Sequence, residues 1–249
     1  MKIAKQKVFD HYEAYPLVHL TSNNSLERIK TSTLLGSLIP LPKNVEKILD
    51  VGCGASAVME RFANKYWHKN ITAVDFSSKS LVSARKLAKA KFIKANAVKL
   101  PFKNKDFDLV LCNGVLHHIL DYESAFSQLA RVLRKDGLLY LTIYNHRHVY
   151  KLFYSLFSPL RRINSRFLIN VLSIIYWPFY SLLSFLEIGS FGLFTEAKAD
   201  FADRFLHPLV LFFSIEKIIK LIKKNDLSLV KSDLHALGTM RSFLLKKEI

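Results

Sequence analysis

The sequence predicts a doubly wound α/β fold, and three observations support this. Short apolar segments alternate with amphipathic segments from about residue 45 to residue 145. Half of the 249 residues are hydrophobic, which is enough to build a large core. The length also fits one α/β domain, since such domains often reach ~200–250 residues. Alternating strands and helices of this kind form a mostly parallel sheet covered on both faces.

Five apolar segments are predicted to be buried parallel strands, because each is short and bounded by turn residues. They are residues 47–51, 71–76, 91–95, 107–113 and 137–145. The segments between them have the apolar spacing of helices. These are residues 56–67, 78–90 and 121–135, the last with Phe126, Leu129, Val132 and Leu133 along one face.

The flanking regions are predicted to extend this core, which we place at residues 46–146. Residues 1–45 are interpreted as a helical arm that ends at Pro40 and Pro42. In residues 214–249, Ser214 can cap a helix, and two alternating segments after it are expected to pair antiparallel at the sheet edge. The sheet would then have seven strands. The apolar stripe predicted for the helix is Ile215, Ile218, Ile219 and Ile222.

Residues 147–213 are predicted to be a hydrophobic helical insertion before the last helix. Within it, residues 167–186 carry no charge and are about as long as a membrane span, for which ~20 apolar residues suffice. Asn170 and Pro178 disfavour a span. We therefore expect a helix that is buried or lies on a membrane surface.

The net charge of +17, from 37 basic and 20 acidic residues, can attract nucleic acid, anionic lipid or acidic small molecules. It also fits a solvated lysine-rich surface. The two cysteines, Cys53 and Cys112, have neither a metal-ligand spacing nor a disulfide pattern, which favours a reducing cytosol. The N-terminus lacks the apolar stretch of a secretory signal. We expect a cytoplasmic protein. Peripheral attachment to the inner face of a membrane is a second hypothesis that is compatible with this location.

The segment "KILDVGCGAS" (47–56) places two glycines directly after a predicted strand that ends in an acid, Asp50. Without a Cβ, Gly52 and Gly54 let a ligand lie against the backbone. Asp75 ends the next strand about 20 residues later, where a carboxylate can accept hydrogen bonds from ribose hydroxyls. The pattern predicts a nucleoside ligand. The alternative is that Asp75 only caps the helix near Ser78.

A longer set of motifs resembles the class I S-adenosylmethionine-dependent methyltransferases. It comprises "ILDVGCG", "AVDFS", "ANAVKLPFKNKDFDLVLCNGVLHHILD" (95–121) and "LARVLRKDGLLYLTIYN" (129–145), in the order of that family. The resemblance covers residues 47–145. It implies a Rossmann-like fold, S-adenosyl-L-methionine as the cofactor and methyl transfer as the reaction.

The resemblance also implies which residues bind the cofactor. Gly52 would face the methionine moiety and Asp75 the ribose, while Asn113 would meet the amino acid end through its backbone carbonyl. Asn96 stands where the family usually has Asp, but its amide oxygen can still accept from adenine. The full implied set is Asp50, Gly52, Gly54, Asp75, Phe76, Asn96, Ala97 and Asn113.

The turn "VLHHI" after the fourth strand offers two candidate general bases, His117 and His118, because it lies at the edge of the sheet where ligands bind. Either histidine could instead only shape the pocket. In a metal-dependent branch of the family this turn is similar to Glu-x-x-Glu-His, and both acids are replaced here, so no metal is expected. The other candidate bases are Tyr12, Tyr144 and His146, and the candidate substrate residues are Tyr12, Tyr144 and His207.

Three hypotheses for function remain open at this point. The favoured one is a methyltransferase for a small hydrophobic, lipid-linked or natural-product acceptor, with Arg161, Arg162 and Arg166 near anionic headgroups. The second is an RNA-modifying methyltransferase, since a basic surface binds RNA through counterion release. The third is a protein with this fold that binds a partner without catalysis.

Overall fold

The structure is a computed structural model, and it describes residues 7–8, 10–12, 26–27, 29–30, 33–69, 71–146, 150–156, 166–188, 194–201, 206–235 and 239–249. Its strands are β1 (Ile48–Val51), β2 (Ile71–Asp75), β3 (Ala90–Lys94), β4 (Phe107–Asn113), β5 (Leu133–Tyr144), β6 (Leu227–His235) and β7 (Met240–Lys247). They form one seven-stranded sheet in the order β3-β2-β1-β4-β5-β7-β6. The first five strands run parallel, and β7 pairs antiparallel with both β5 and β6.

Helices and helical turns connect these strands. The described helices are α1 (Val58–Phe62), which continues as a π-helical turn (Ala63–Trp67), α2 (Ser78–Ala84), α3 (Tyr122–Val132), α4 (Tyr150–Leu156), α5 (Arg166–Ile188), α6 (Phe194–Phe201) and α7 (Ile215–Lys224). Short 3-10 turns cover Leu34–Leu38 and Leu116–His118. The predicted doubly wound α/β fold is confirmed, including the antiparallel pair at the sheet edge.

Several predicted helix ends and faces are wrong. The helix predicted for residues 78–90 ends at Ala84, and the one predicted for 121–135 ends at Val132 because Leu133 already pairs with Phe107 in the sheet. The apolar stripe predicted for α7 is half right. Ile218 and Ile222 are buried as predicted, but Ile215 and Ile219 are 43% and 39% exposed, and the third buried residue is Leu221. The predicted cap is confirmed, since the Ser214 side chain accepts a hydrogen bond from the backbone N–H of Lys217.

The core lies on both faces of the sheet because successive strand residues point to opposite sides. All four residues of β1 are buried, and Ile48 and Leu49 pack into two different clusters. The Leu49 cluster includes Phe126 and Leu129 of α3. The cluster of Ile48 includes Phe62 of α1. This double coverage explains why the parallel strands are continuous apolar runs in the sequence.

The described part of the predicted insertion, residues 147–213, is largely helical and consists of α4, α5, α6 and the segment that leads to α7. One side of α5 packs on α6 through ring contacts between Tyr176 and Phe201, at 5.5 Å between centroids, and between Trp177 and Phe194, at 5.8 Å. None of the helices in the described ranges has the length and apolar character that crossing a membrane requires. Arg161 and Arg162 lie outside the described residues. The proposed domain boundaries, including that of the arm at residues 1–45, stay predictions.

Candidate cofactor and acceptor site

The glycine turn after β1 depends on its two glycines in different ways. Gly52 has φ +84°, and a Cβ there would lie 2.4 Å from Cγ2 of Val115, which follows β4. Gly54 has φ +62°, and apart from its two chain neighbours no heavy atom of the described residues lies within 4 Å of the position of its Cβ. L-residues rarely adopt such angles. Gly52 therefore allows close packing against the neighbouring loop, and Gly54 leaves open space beside the backbone.

Asp75 connects this turn to the start of α2. Its Oδ2 accepts a hydrogen bond from the N–H of Gly54 at 2.9 Å, and its Oδ1 accepts one from the N–H of Ser77 at 2.8 Å. The N-cap of α2 is Ser77, whose hydroxyl accepts from the N–H of Ser80 at 3.2 Å. Capping is therefore the role of Ser77, while Asp75 orders the turn. A carboxylate has about four acceptor sites, so these bonds are compatible with a hydroxyl ligand.

A second acid, Glu60 of α1, lies beside Asp50, and sequence reasoning missed it. The two residues are 0% and 1% exposed, and Oδ1 of Asp50 and both carboxylate oxygens of Glu60 have no hydrogen-bond partner elsewhere in the described part of the chain. Burial raises the pKa of Asp50 to about 7 and that of Glu60 well above its usual range. Glu60 is therefore the acid that keeps its proton to the higher pH, and a protonated Glu60 can donate a hydrogen bond to Asp50. The signal in the sequence was an acid between Met59 and Phe62 in an otherwise apolar turn of helix.

The ends of β3 and β4 bring the other predicted cofactor residues to the same edge of the sheet. The Oδ1 of Asn113 accepts from the hydroxyl of Thr142 at 2.7 Å, and that hydroxyl accepts from the N–H of Gly114, also at 2.7 Å. Asn96 is exposed, and its Oδ1 accepts from the N–H of Val98 at 3.1 Å in a tight turn that includes Ala97. Thr142 is a second residue that sequence reasoning missed.

The predicted catalytic and substrate residues come together in one group, which we call the histidine cluster. It consists of His11, Tyr12, His117, His118, Tyr144 and His207. The rings of His118 and His207 are 3.8 Å apart between centroids, and those of His117 and Tyr144 are 4.1 Å apart. His11 was not predicted, and its ring lies 4.8 Å from that of His207. By contrast, the candidate His146 is exposed, with its Nε2 3.2 Å from Nζ of Lys151.

Hydrogen bonds to one backbone residue, Leu209, assign the tautomers of two imidazoles. Nδ1 of His118 lies 2.9 Å from the carbonyl oxygen of Leu209, which can only accept, so Nδ1 carries the proton and Nε2 the lone pair. Nδ1 of His207 accepts from the N–H of Leu209 at 3.2 Å, which places the ring proton on Nε2. Among the described residues, this Nε2–H has no hydrogen-bond partner. The cluster thus contains a proton acceptor and a donor on adjacent rings.

Burial keeps the histidine cluster neutral. Desolvation lowers the pKa of His11 and His118 to about 4, and it lowers the pKa of His117 and His207 well below the usual range. Repulsion between the imidazoles acts in the same direction. Within the described ranges, no group of three or more His, Cys, Asp or Glu side chains is arranged to hold a metal ion. The cluster can therefore exchange hydrogen bonds and protons but carries no charge near pH 7.

Comparisons with known proteins identify the same region. The sequence profile of the family described as "Methyltransferase domain" matches residues 49–141. A malonyl-[acyl-carrier protein] O-methyltransferase of Enterobacter lignolyticus is 29% identical over 128 residues, which cover 50% of this chain and 48% of that protein. A ubiquinone/menaquinone biosynthesis C-methyltransferase of Campylobacter jejuni is 31% identical over 107 residues, covering 41% and 46%. The matches thus span about half the length of these curated relatives.

The fold extends further than the sequence similarity. The crystal structure of magnesium protoporphyrin IX methyltransferase from Synechocystis, with bound SAH, superposes with a TM-score of 0.56 at 14% identity and covers 90% of this chain and 82% of that chain. At this identity the likeness concerns the fold alone. The profile match identifies residues 49–141 as a methyltransferase domain, and the strand order and the structural likeness show that the chain has the fold of the class I S-adenosylmethionine-dependent methyltransferases.

Proposed function

We propose that this protein transfers a methyl group from S-adenosylmethionine to a hydrophobic or lipid-linked acceptor. The observation that carries the proposal is the position of Phe76. It directly follows Asp75, and its ring contacts Tyr12 at 5.7 Å between centroids. The carboxylate expected to hold the ribose is therefore adjacent to the histidine cluster.

The residues at the sheet edge fit the cofactor. The open space at Gly54 admits a ligand against the backbone, and Asp75 beside it offers acceptors for ribose hydroxyls. Asn96 and Ala97 would lie beside the adenine, and Asn113 beside the methionine end. The cofactor supplies an activated methyl group on a positively charged sulfur. Alignment of the acceptor with that methyl group would provide most of the rate.

The histidine cluster would bind and orient the acceptor. The Nε2 lone pair of His118 can take a proton from an acceptor atom, and the Nε2–H of His207 can donate to a polar group on the same molecule. General base catalysis of this kind contributes ~10²–10⁴-fold. Tyr12 and Tyr144 pack around both rings and would exclude water.

The apolar character of the acceptor is supported by the outer face of α5. We use this name for the exposed residues Val171, Ile174, Ile175, Phe179, Leu182 and Phe185, which are between 36% and 67% exposed. A contiguous exposed apolar surface of this kind is uncommon on a protein that has no partner there. The neighbouring helix α4 adds two exposed leucines, Leu152 and Leu156, to the apolar surface of the insertion.

The partner proposed for this face is an anionic membrane surface. Three arginines precede or begin α5 in the sequence, and the chain carries a net charge of +17. Helix α4 also contacts the site, because the hydroxyl of Tyr154 donates to the backbone carbonyl of His207 at 3.0 Å. A lipid-linked acceptor drawn from the membrane would therefore approach the histidine cluster through the insertion.

The central experiment is binding and transfer of a labelled methyl group. Calorimetry with purified protein should show binding of S-adenosylmethionine that Asp75→Ala abolishes. Incubation of a cell extract with the protein and methyl-labelled cofactor should place the label in the organic phase after extraction. Label that stays with RNA would favour the RNA-modifying alternative. Absence of binding to the cofactor would contradict the whole proposal.

The membrane partner has its own test, flotation with lipid vesicles. The Ile175→Ser/Phe179→Ser variant should lose binding to vesicles that contain phosphatidylglycerol. Val230→Ser is the matched control, because Val230 is 54% exposed on β6, far along the sequence from α5. Equal binding of all three proteins, or equal binding to vesicles of phosphatidylcholine alone, would exclude this face as a site for anionic membranes.

A further inference from the structure

Two buried carboxyl groups lie under the glycine turn, and the proposed reaction does not use them. Asp50 is the third residue of β1, and Glu60 is the third residue of α1, so they flank the turn on either side. If both were ionised, Oδ1 of Asp50 and both carboxylate oxygens of Glu60 would have no hydrogen-bond partner within the described chain. Two dry carboxylates side by side would repel each other strongly.

The described surroundings do not compensate this charge. Among the described residues, the titratable groups that interact with the pair are Asp75 from β2, Cys53 from the turn and Cys112 from β4. None of them is basic, and burial raises the pKa of both thiols, so the cysteines stay neutral. A proton on Glu60 resolves the conflict, because it turns one acceptor into a donor towards Asp50. The described residues thus hold an acid pair that lacks a cation.

A ligand bound at the glycine turn would supply the positive charge that Asp50 and Glu60 lack. Asp50 lies two residues before Gly52, and a chain of that length spans at most about 7 Å. In a buried site, a positive charge bound at the turn would stabilise the nearby carboxylate far more than it would in water. Of the two forms of the cofactor, S-adenosylmethionine carries a sulfonium charge, and the demethylated product carries a neutral thioether.

We infer that Asp50 releases a proton to solvent when S-adenosylmethionine binds. Glu60 keeps its own proton and donates a hydrogen bond to the newly ionised Asp50. This inference rests on the proposed function. It makes Asp50 a sensor of the sulfonium charge and Glu60 a positioning residue that acts through Asp50. After methyl transfer the charge is gone, so Asp50 takes up a proton again and the product is held less tightly.

The test is the ratio of the affinities for S-adenosylmethionine and its demethylated product as a function of pH, measured by calorimetry. Burial raises the pKa of Asp50 to about 7, so the ratio should increase between pH 5 and pH 7 and level off above pH 8. The increase should approach tenfold per pH unit, the limit for one proton. The pKa of His11 and His118 is about 4, so these imidazoles do not titrate in this range.

Three variants separate the roles of the pair. Asp50→Asn should make the ratio independent of pH. Glu60→Gln should keep the dependence of the wild-type protein, because the amide N–H still donates to Asp50, whereas Glu60→Leu removes the donor and should move the rise to higher pH. A flat ratio in the wild-type protein, or a slope that survives in Asp50→Asn, would overturn the inference.

A measurement on the wild-type protein alone guards against variants that fold poorly. Binding heats in phosphate and imidazole buffers at pH 6.5 differ when protons are released, because the two buffers take up protons with different enthalpies. Release should be larger with S-adenosylmethionine than with its product, and equal release would contradict the inference. Failure of both compounds to bind at any pH would instead contradict the proposed function.

Discussion

The acid pair and the histidine cluster are two buried groups of titratable side chains at the same edge of the sheet, and burial acts on them in opposite directions. It raises the pKa of Asp50 and Glu60 and lowers the pKa of the four histidines. The cause is the same, because a dry environment disfavours whichever form is charged. Both groups therefore tend towards neutrality near pH 7. The difference is that a cationic ligand at the glycine turn would ionise Asp50, whereas the histidines have no such counter-charge and stay neutral.

The largest effect is expected from Gly52→Ala, which tests the turn that connects the two groups. The new Cβ would lie 2.4 Å from Val115, and φ at this position is +84°. We expect a clear loss of thermal stability and no measurable binding of S-adenosylmethionine. Melting by circular dichroism and calorimetry measure both.

Gly54→Ala is the matched control for that change. It shares the positive φ, at +62°, but its Cβ would point into open space. The left-handed conformation alone costs about 1–2 kcal/mol. The protein should therefore stay folded and lose affinity for the cofactor, because the new methyl group fills the space proposed for it. Unchanged affinity in Gly54→Ala would move the cofactor away from this turn.

His118→Asn should have the next largest effect. It should affect the histidine cluster and leave the acid pair unchanged. The amide N–H of Asn can replace the Nδ1–H that donates to Leu209, but nothing replaces the Nε2 lone pair. We expect kcat to fall about 10²-fold or more, as for loss of a general base. The dissociation constant for S-adenosylmethionine should stay the same. A fall in kcat of less than about threefold would assign His118 to pocket shape only.

Thermal stability as a function of pH compares the two groups directly. Burial lowers the pKa of His118 from its usual 6.5 to about 4 in the folded protein, so stability decreases as the pH falls from 6.5 to 4. The pKa of Asp50 is about 7 against 3.8, so stability decreases as the pH rises from 3.8 to 7. These two contributions cancel between pH 4 and 6.5, but burial also lowers the pKa of His11, His117 and His207, so the four histidines outweigh Asp50 and Glu60 and the melting temperature should be highest near pH 6.5.

The magnitudes in this profile can be separated with variants already named. A shift such as that of His118 corresponds to about 3 kcal/mol at most, since one pKa unit is about 1.4 kcal/mol. His118→Asn should therefore flatten the acidic side of the profile, and Asp50→Asn should flatten the alkaline side. A profile that both variants leave unchanged would mean that burial does not perturb these groups as described.

The fold could be predicted from the sequence because its strands are buried on both faces and appear as continuous apolar runs. The end of α3 could not be predicted from apolar residues alone. Val132 ends the helix and Leu133 begins β5, but both are apolar. Periodicity locates buried faces but does not mark the residue at which the backbone changes. The stripe of α7 was only partly predicted for a related reason. The exposed Ile215 and Ile219 are the same residue type as the buried Ile218, so hydrophobicity does not distinguish them.

The site was predictable where chemistry follows from position along the sheet. Gly52, Asp75, His117 and His118 all lie next to strand ends, so the topology brings them to one edge. Glu60 was missed because an acid in a helix is normally exposed. His11 was missed because its contact with His207 joins residues almost 200 positions apart, which no local pattern records.

The smallest effect is expected from Tyr12, which belongs to the arm and contacts only one of the two groups. Its ring lies 5.2 Å from that of His207 and 5.7 Å from that of Phe76. Tyr12→Leu removes these ring contacts, each worth about 0.5–1.5 kcal/mol beyond buried area, so KM for the acceptor should rise about three- to tenfold. Tyr12→Phe keeps an aromatic ring, so KM for the acceptor should stay within about twofold of the wild-type value if packing is the role of this residue.

Neither change should alter how the affinity ratio of cofactor and product depends on pH, because the acid pair lies under the glycine turn. A Tyr12→Leu variant that altered this pH dependence would show that the two groups act as one site.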